Sequence, residues 1–153
     1  MRGALGDLSP SAAAVLLTLR YHGGSTASAL SAIAGIAQPT AVRVIDGLVR
    51  RGLVERVGRV GKTAPLRLTL AGEMEADSVQ ASRLAALQGV LDGLAAEEQA
   101  TLERLVDAML TAATSSRPLA RTTCRLCDHA RCDGPACPIG TRATEIERGK
   151  AAC

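Results

Sequence analysis

"GIAQPTAVRVIDGLVRRGLVERV", residues 35–57, decides the fold. Gly35 ends whatever precedes it. Pro39 stands where a helix begins, a place where its missing N–H is not needed. Val42, Ile45, Leu48 and Val49 recur at helical spacing, and Gly52 follows the last turn. The period predicts a helix that buries those four side chains. Gln38, Thr40, Arg43, Gly47 and Arg50 then fall on the opposite side. From Leu53 the period shortens. Residues 53–60 and 66–70 read as two strands, with Gly58, Gly61 and Lys62 in the turn and Pro65 at a strand start.

Working outward, "LSPSAAAVLLTLRYHGG" opens on Ser9-Pro10 and closes on Gly23-Gly24, which predicts a helix with Ala13, Leu16, Leu17 and Leu19 on one face. "STASALSAIAG" predicts a second helix, capped by Ser25 or Thr26, with Leu30 and Ile33 inward and Gly35 at its end. After Ala71 the helical period returns. Val79, Leu84, Leu87, Leu91 and Leu94 form one stripe. Leu102, Leu105, Val106, Met109 and Leu110 form another, and Asp92-Gly93 separates the two. "TSSRP" at 114–118 reads as a linker. A cysteine cluster and a polar tail, "TRATEIERGKAAC", follow. The expected fold is mainly α with a small β-hairpin wing. It comprises a winged helix-turn-helix over residues 8–70, a helical dimerisation region over 71–116, and a Cys-rich metal-binding tail over 117–153.

Composition narrows the class. Of the 153 residues, 47 % are apolar but only 1 % aromatic, because Tyr21 is the sole aromatic residue. The core must be aliphatic, and a core that small favours a homodimer. The apolar runs are far shorter than the roughly 20 residues of a membrane helix. No signal peptide is evident, so a cytoplasmic protein is expected. Charge is unevenly spread. Residues 38–70 carry seven basic and two acidic side chains, a net of +5. Residues 71–116 carry two basic and eight acidic ones, a net of −6. A basic head beside an acidic scaffold suits a polyanion such as DNA.

A helix fits the major groove, where Gln matches an adenine edge, Arg a guanine edge and Thr a thymine methyl or a phosphate. Double-stranded operator DNA is therefore the expected partner. The residues expected to meet it are Gln38, Pro39, Thr40, Arg43, Arg50 and Arg51, with Arg59 and Lys62 reaching phosphates from the wing. Residues 35–57, the upstream "LSPSAAAVLLTLRYHGGSTASALSAIAG" and the downstream "LRLTLAGEMEAD" together resemble the MarR family of bacterial transcriptional regulators over residues 8–113. The resemblance implies a homodimeric DNA-binding regulator, most often a repressor. Its small-molecule effector, if one exists, is unknown. Two departures stand out. The wing tip, "VGRVGKTAP", lacks the family's bracing Asp-x-Arg pair. Only about eight residues precede the first helix, too few for the family's N-terminal dimerisation helix.

The remaining feature is "CRLCDHARCDGPACP", residues 124–138. Its spacing is Cys124-x2-Cys127-x4-Cys132-x4-Cys137. Four thiolates this close suit a soft tetrahedral site. The spacing equals that of a zinc knuckle with Cys132 in place of His, so zinc is the expected cofactor. An iron–sulfur cluster is the alternative, because all four ligands are Cys and Pro138 follows the last. Metal-free redox thiols are a third reading. His129 suits a supporting position, His22 a structural one, and Cys153 a mobile terminal thiol. No Ser-His-acid set, phosphate-binding glycine loop or paired carboxylates point to an enzyme. A protein-interaction adaptor without specific DNA binding is the alternative from another class.

Overall fold

The computed structural model describes residues 7–58, 64–132 and 137–151, apart from the side chains of His129 and Ala151. Three helices open the chain: α1 (Pro10–His22), α2 (Ala27–Ala34) and α3 (Gln38–Arg50). Strands β1 (Val54–Arg56) and β2 (Leu66–Leu68) pair antiparallel, with Val54 opposite Leu68 and Arg56 opposite Leu66. Two long helices follow, α4 (Leu70–Leu91) and α5 (Ala96–Ala113). Among the described residues, α6 (Arg117–Thr123), α7 (His129–Cys132) and α8 (Pro138–Ala151) follow.

The caps explain the boundaries. The Ser9 hydroxyl accepts the Ala12 N–H and Thr26 that of Ala29, each satisfying an orphan donor of the first turn. Gly35 ends α2 in the left-handed conformation, φ +66°. The Thr69 hydroxyl accepts the Gly72 N–H at 3.0 Å and donates to the Gly52 carbonyl at 2.6 Å. Gly72 is obligatory: a Cβ there would stand 1.9 Å from the Leu53 carbonyl oxygen.

The core is aliphatic, as the composition requires. Val15, Leu16 and Leu17 of α1, Leu30 of α2, Ile45 and Leu48 of α3, and Val54 and Leu66 of the hairpin are all essentially sealed from solvent. Backbone bonds between Ser25 and Leu66 attach the hairpin to the helices. Only the base of α4, at Ala76, Val79 and Gln80, joins this core.

The structure corrects several expectations. The strands are shorter than 53–60 and 66–70. Leu70 already opens α4, and Val60 and the wing tip lie outside the described residues. Ala41 takes the buried place expected for Val42, which is 40 % exposed. The reason is rotation: Ala41, Ile45 and Leu48 lie i, i+4, i+7 along one line, and Val42 stands about 100° further round. The expected linker at 114–118 is a tight joint. Thr114 is buried, and Ser116 caps α6 by accepting the Leu119 N–H. Most of the expected polar tail is helix α8, which packs on α5 and α6. Among the described residues, no single helix is long and apolar enough to cross a membrane.

Candidate DNA-reading face and cysteine site

Helix α3 presents Gln38, Pro39, Thr40, Val42, Arg43 and Arg50 to solvent. Its N-terminus is uncapped, because Ala37 has no side chain to accept a bond. The N–H groups of Gln38 and Thr40 therefore face outward, as phosphate recognition needs. The neighbouring arginines are already neutralised. Arg56 reaches Asp46 at 2.5 Å, Arg67 reaches Glu55 at 2.5 Å, and Arg51 reaches Asp7 at 2.9 Å. Among the described residues, Arg43 and Arg50 make no ion pair, so the open positive charge of this helix lies on its exposed face. Arg59 and Lys62 of the wing tip lie outside the described residues. Sequence reasoning missed Val42, since its spacing suits the buried stripe; only the rotational offset from Ala41 distinguishes it.

The cysteines come together from four places. Cys124 is the C-cap of α6, and Cys127 closes the next turn by donating its N–H to the Cys124 carbonyl at 2.9 Å. Cys132 ends α7, and Cys137 immediately precedes α8. The Cys137 sulfur accepts the Gly140 N–H at 3.2 Å. The four side chains line one cavity of about 310 Å³, with Arg117 and Arg121 on its wall. Cys124 is buried, Cys127 and Cys137 are half-buried, and Cys132 is exposed. Hydrogen bonding to Cys127, burial and the nearby thiols push the Cys124 thiol far up. Burial and the Cys137 thiol push Cys132 up to about 11. Without a cation these groups stay protonated at neutral pH. A soft cation would displace the protons, and the donor set fits one. Among the described residues, however, no three His, Cys, Asp or Glu side chains stand around a single point as the ligands of one ion would.

This module docks on the reading head through its backbone. The Gln80 amide donates to the Leu126 carbonyl at 3.2 Å. The His22 Nε2 lies 3.4 Å from the Cys124 carbonyl, and the Thr18 hydroxyl 3.4 Å from that of Arg125. Thr122 of α6 donates to Ala32 of α2, and Leu126 packs against the main core. On the far side, Arg117 holds Glu147 of α8 at 2.7 Å. The polar Gln80, placed among apolar neighbours at the base of α4, was a readable sign of such docking.

Leaving the head, α4 exposes Leu84, Leu87 and Val90. Helix α5 exposes Leu102, Leu105, Val106 and Met109, and none of its residues is buried. The two helices do not pack along each other. The Gln99 amide ties their joint to the Leu91 and Leu94 carbonyls.

Residues 6–62 match the model of the MarR family. No curated protein sequence matches the chain closely enough to count as a relative. Solved structures do match. Wild-type MarR from E. coli, in its apo form, is 25 % identical, with a TM-score of 0.61, over 68 % of this chain and 79 % of that one. The PcaV transcriptional regulator from Streptomyces coelicolor, solved with its natural ligand, is 28 % identical, with a TM-score of 0.55, over 71 % and 78 %. RV1404 from Mycobacterium tuberculosis, at 20 % identity and a TM-score of 0.64 over 72 % and 79 %, shows the fold. These matches point to regulators of transcription and to no enzyme. Residues 6–62 thus match the MarR-family model, and the fold shared with these solved regulators supports a DNA-binding transcriptional regulator of winged-helix type.

Proposed function

We propose that the chain is a cytoplasmic, homodimeric repressor whose hold on operator DNA depends on a metal centre at its four cysteines. The observation that carries the DNA reading is the face of α3. Its N-terminus is uncapped, and Arg43 and Arg50 are open while their neighbours are paired. Gln38, Thr40 and Arg43 read base edges and the flanking phosphates, and Val42 adds an apolar contact suited to a thymine methyl. Arg50 is placed for the phosphate backbone. Arg51, held by Asp7, braces the N-terminal segment instead. A dimer formed through the uncovered stripes of α4 and α5 would read half-sites roughly 10 base pairs apart, or a multiple of that.

The four thiolates would hold a soft metal, and their spacing alone speaks for zinc. When bound, the metal supplies the order that a tail with so small a core lacks. Its loss would release the carbonyls of residues 124–126 from Thr18, His22 and Gln80, alter the spacing of the two heads, and free the DNA.

The test begins with selection of an operator from random duplexes. Binding is then measured across a salt series, with metal-loaded and chelator-stripped protein. Affinity should fall steeply with salt and fall again on stripping. Binding insensitive to salt would end the DNA reading in favour of an adaptor. Equal affinity in the two metal states would end the sensory one.

A further inference from the structure

We propose that α6–α8 form a brace: they tie the far end of α5 back to the head and to Gln80 of α4, and so fix the angle at which the two long helices carry the head. The inference rests on reading the chain as a dimer that grips DNA with two heads. It names the path by which the module reaches the DNA-binding face, and it holds whatever the cysteines carry.

Beyond Gln80, α4 runs clear of the head for about 17 Å before it ends at Leu91, and α5 comes back over about 27 Å, at about 1.5 Å per residue. Along that path little sets the angle between them. The two helices do not pack along each other, and α5 buries no side chain. Their joint is held by polar contacts, chiefly the Gln99 amide on the Leu91 and Leu94 carbonyls. Two rods with one joint keep a free angle, and a third side removes it.

The module is that side. At the end of α5, Leu110 packs on the cluster of Ala120, Cys124, Ile139 and Ala143, and Thr114 is buried. The Arg117–Glu147 pair joins α6 to α8. Helix α6 meets the head at Thr122, whose hydroxyl donates to the Ala32 carbonyl at 3.3 Å, and Leu126 packs on the main core. The last contact is on α4. Gln80 is buried where α4 leaves the head. Arg83 donates to its Oε1 at 2.6 Å, and its Nε2 donates to the Leu126 carbonyl at 3.2 Å. Arg83 is thus a positioning residue: it occupies the amide oxygen and leaves the amide N–H turned to the module. The path from head through α4, α5 and α6 closes on itself. A head held at both ends of that path cannot swing independently of α5.

The test uses the full chain carrying Gln80→Glu, whose carboxylate keeps the Arg83 contact but cannot donate to Leu126. Hydrogen exchange is followed in variant and wild type. Amides of residues 124–127 report the seam. Amides of residues 92–99, which begin about 18 Å along α4 from the substitution, report the joint. The expected result is several-fold faster exchange at both, with α1–α3 unchanged. A purely local role for Gln80 would not move the joint. Should the variant not fold, Thr18→Val takes its place, since it removes the hydroxyl that faces the Arg125 carbonyl and keeps the shape. A loosened seam with an unchanged joint overturns the brace. So does a seam that stays closed, because the tie then lies elsewhere. The same samples are bound to operators with one base pair added between the half-sites. Wild type should reject the altered spacing, and Gln80→Glu should discriminate less. Wild type with no preference for spacing ends the two-headed dimer reading, and the exchange at the joint still decides the brace.

Discussion

The reading head and the cysteine module are held together by different physics. The head seals Val15, Leu16, Leu17, Leu30, Ile45, Leu48, Val54 and Leu66 in one aliphatic core. At about 1.5–3 kcal/mol for each large side chain, such burial is enough to order a small domain. Among the described residues, the module's buried cluster is Ala120, Cys124, Ile139 and Ala143. One large aliphatic side chain cannot offset the conformational entropy of ordering residues 117–151. The difference teaches where the proposed metal would matter. The head needs none, whereas in the module its binding energy would become folding energy.

The comparison breaks most visibly if the metal is removed. Chelation or Cys124→Ser should abolish protection of the α6–α8 amides from hydrogen exchange and leave α1–α3 protected. Equal loss in both regions would make the two a single cooperative unit. Next in size, Leu48→Ala should destabilise the head by about 2–5 kcal/mol in urea unfolding, with metal content unchanged. Arg43→Ala should weaken operator binding by about 1–3 kcal/mol without moving the melting temperature. Gln80→Ala sharpens the comparison, because it cuts one of the links between the regions and leaves each intact. Its expected cost is about 1 kcal/mol, read as a smaller difference in DNA affinity between loaded and stripped protein.

The head was legible in the sequence because its signals are local. Ser9-Pro10, Gly35 and Gly52 mark boundaries wherever the chain goes. Ile45 and Leu48 keep to one face because the helix period fixes them. Val42 was misplaced because a single residue's rotation separates buried from exposed, and only the packed neighbours reveal which side wins. The module was half legible. Its spacing put four cysteines within 14 residues, and all four line one pocket. The docking of residues 124–126 on Thr18, His22 and Gln80 depends on contacts across 46 to 107 positions, and no local pattern encodes them. "TSSRP" reads as a linker by composition, yet the same Ser and Pro cap and open α6.

Gly72 carries a kinematic consequence. With the first turn of α4 pressed on the Leu53 carbonyl and clamped by Thr69 to Gly52, the joint between head and long helix has no slack. Head and α4 must turn as one lever. Any change in the separation of two heads then has its pivot further along, where α4 leaves the core beyond Gln80 or at the Asp92-Gly93 elbow. A small rotation there is multiplied by the length of the arm, so a displacement of a fraction of an ångström at the pivot can carry α3 out of register with the groove.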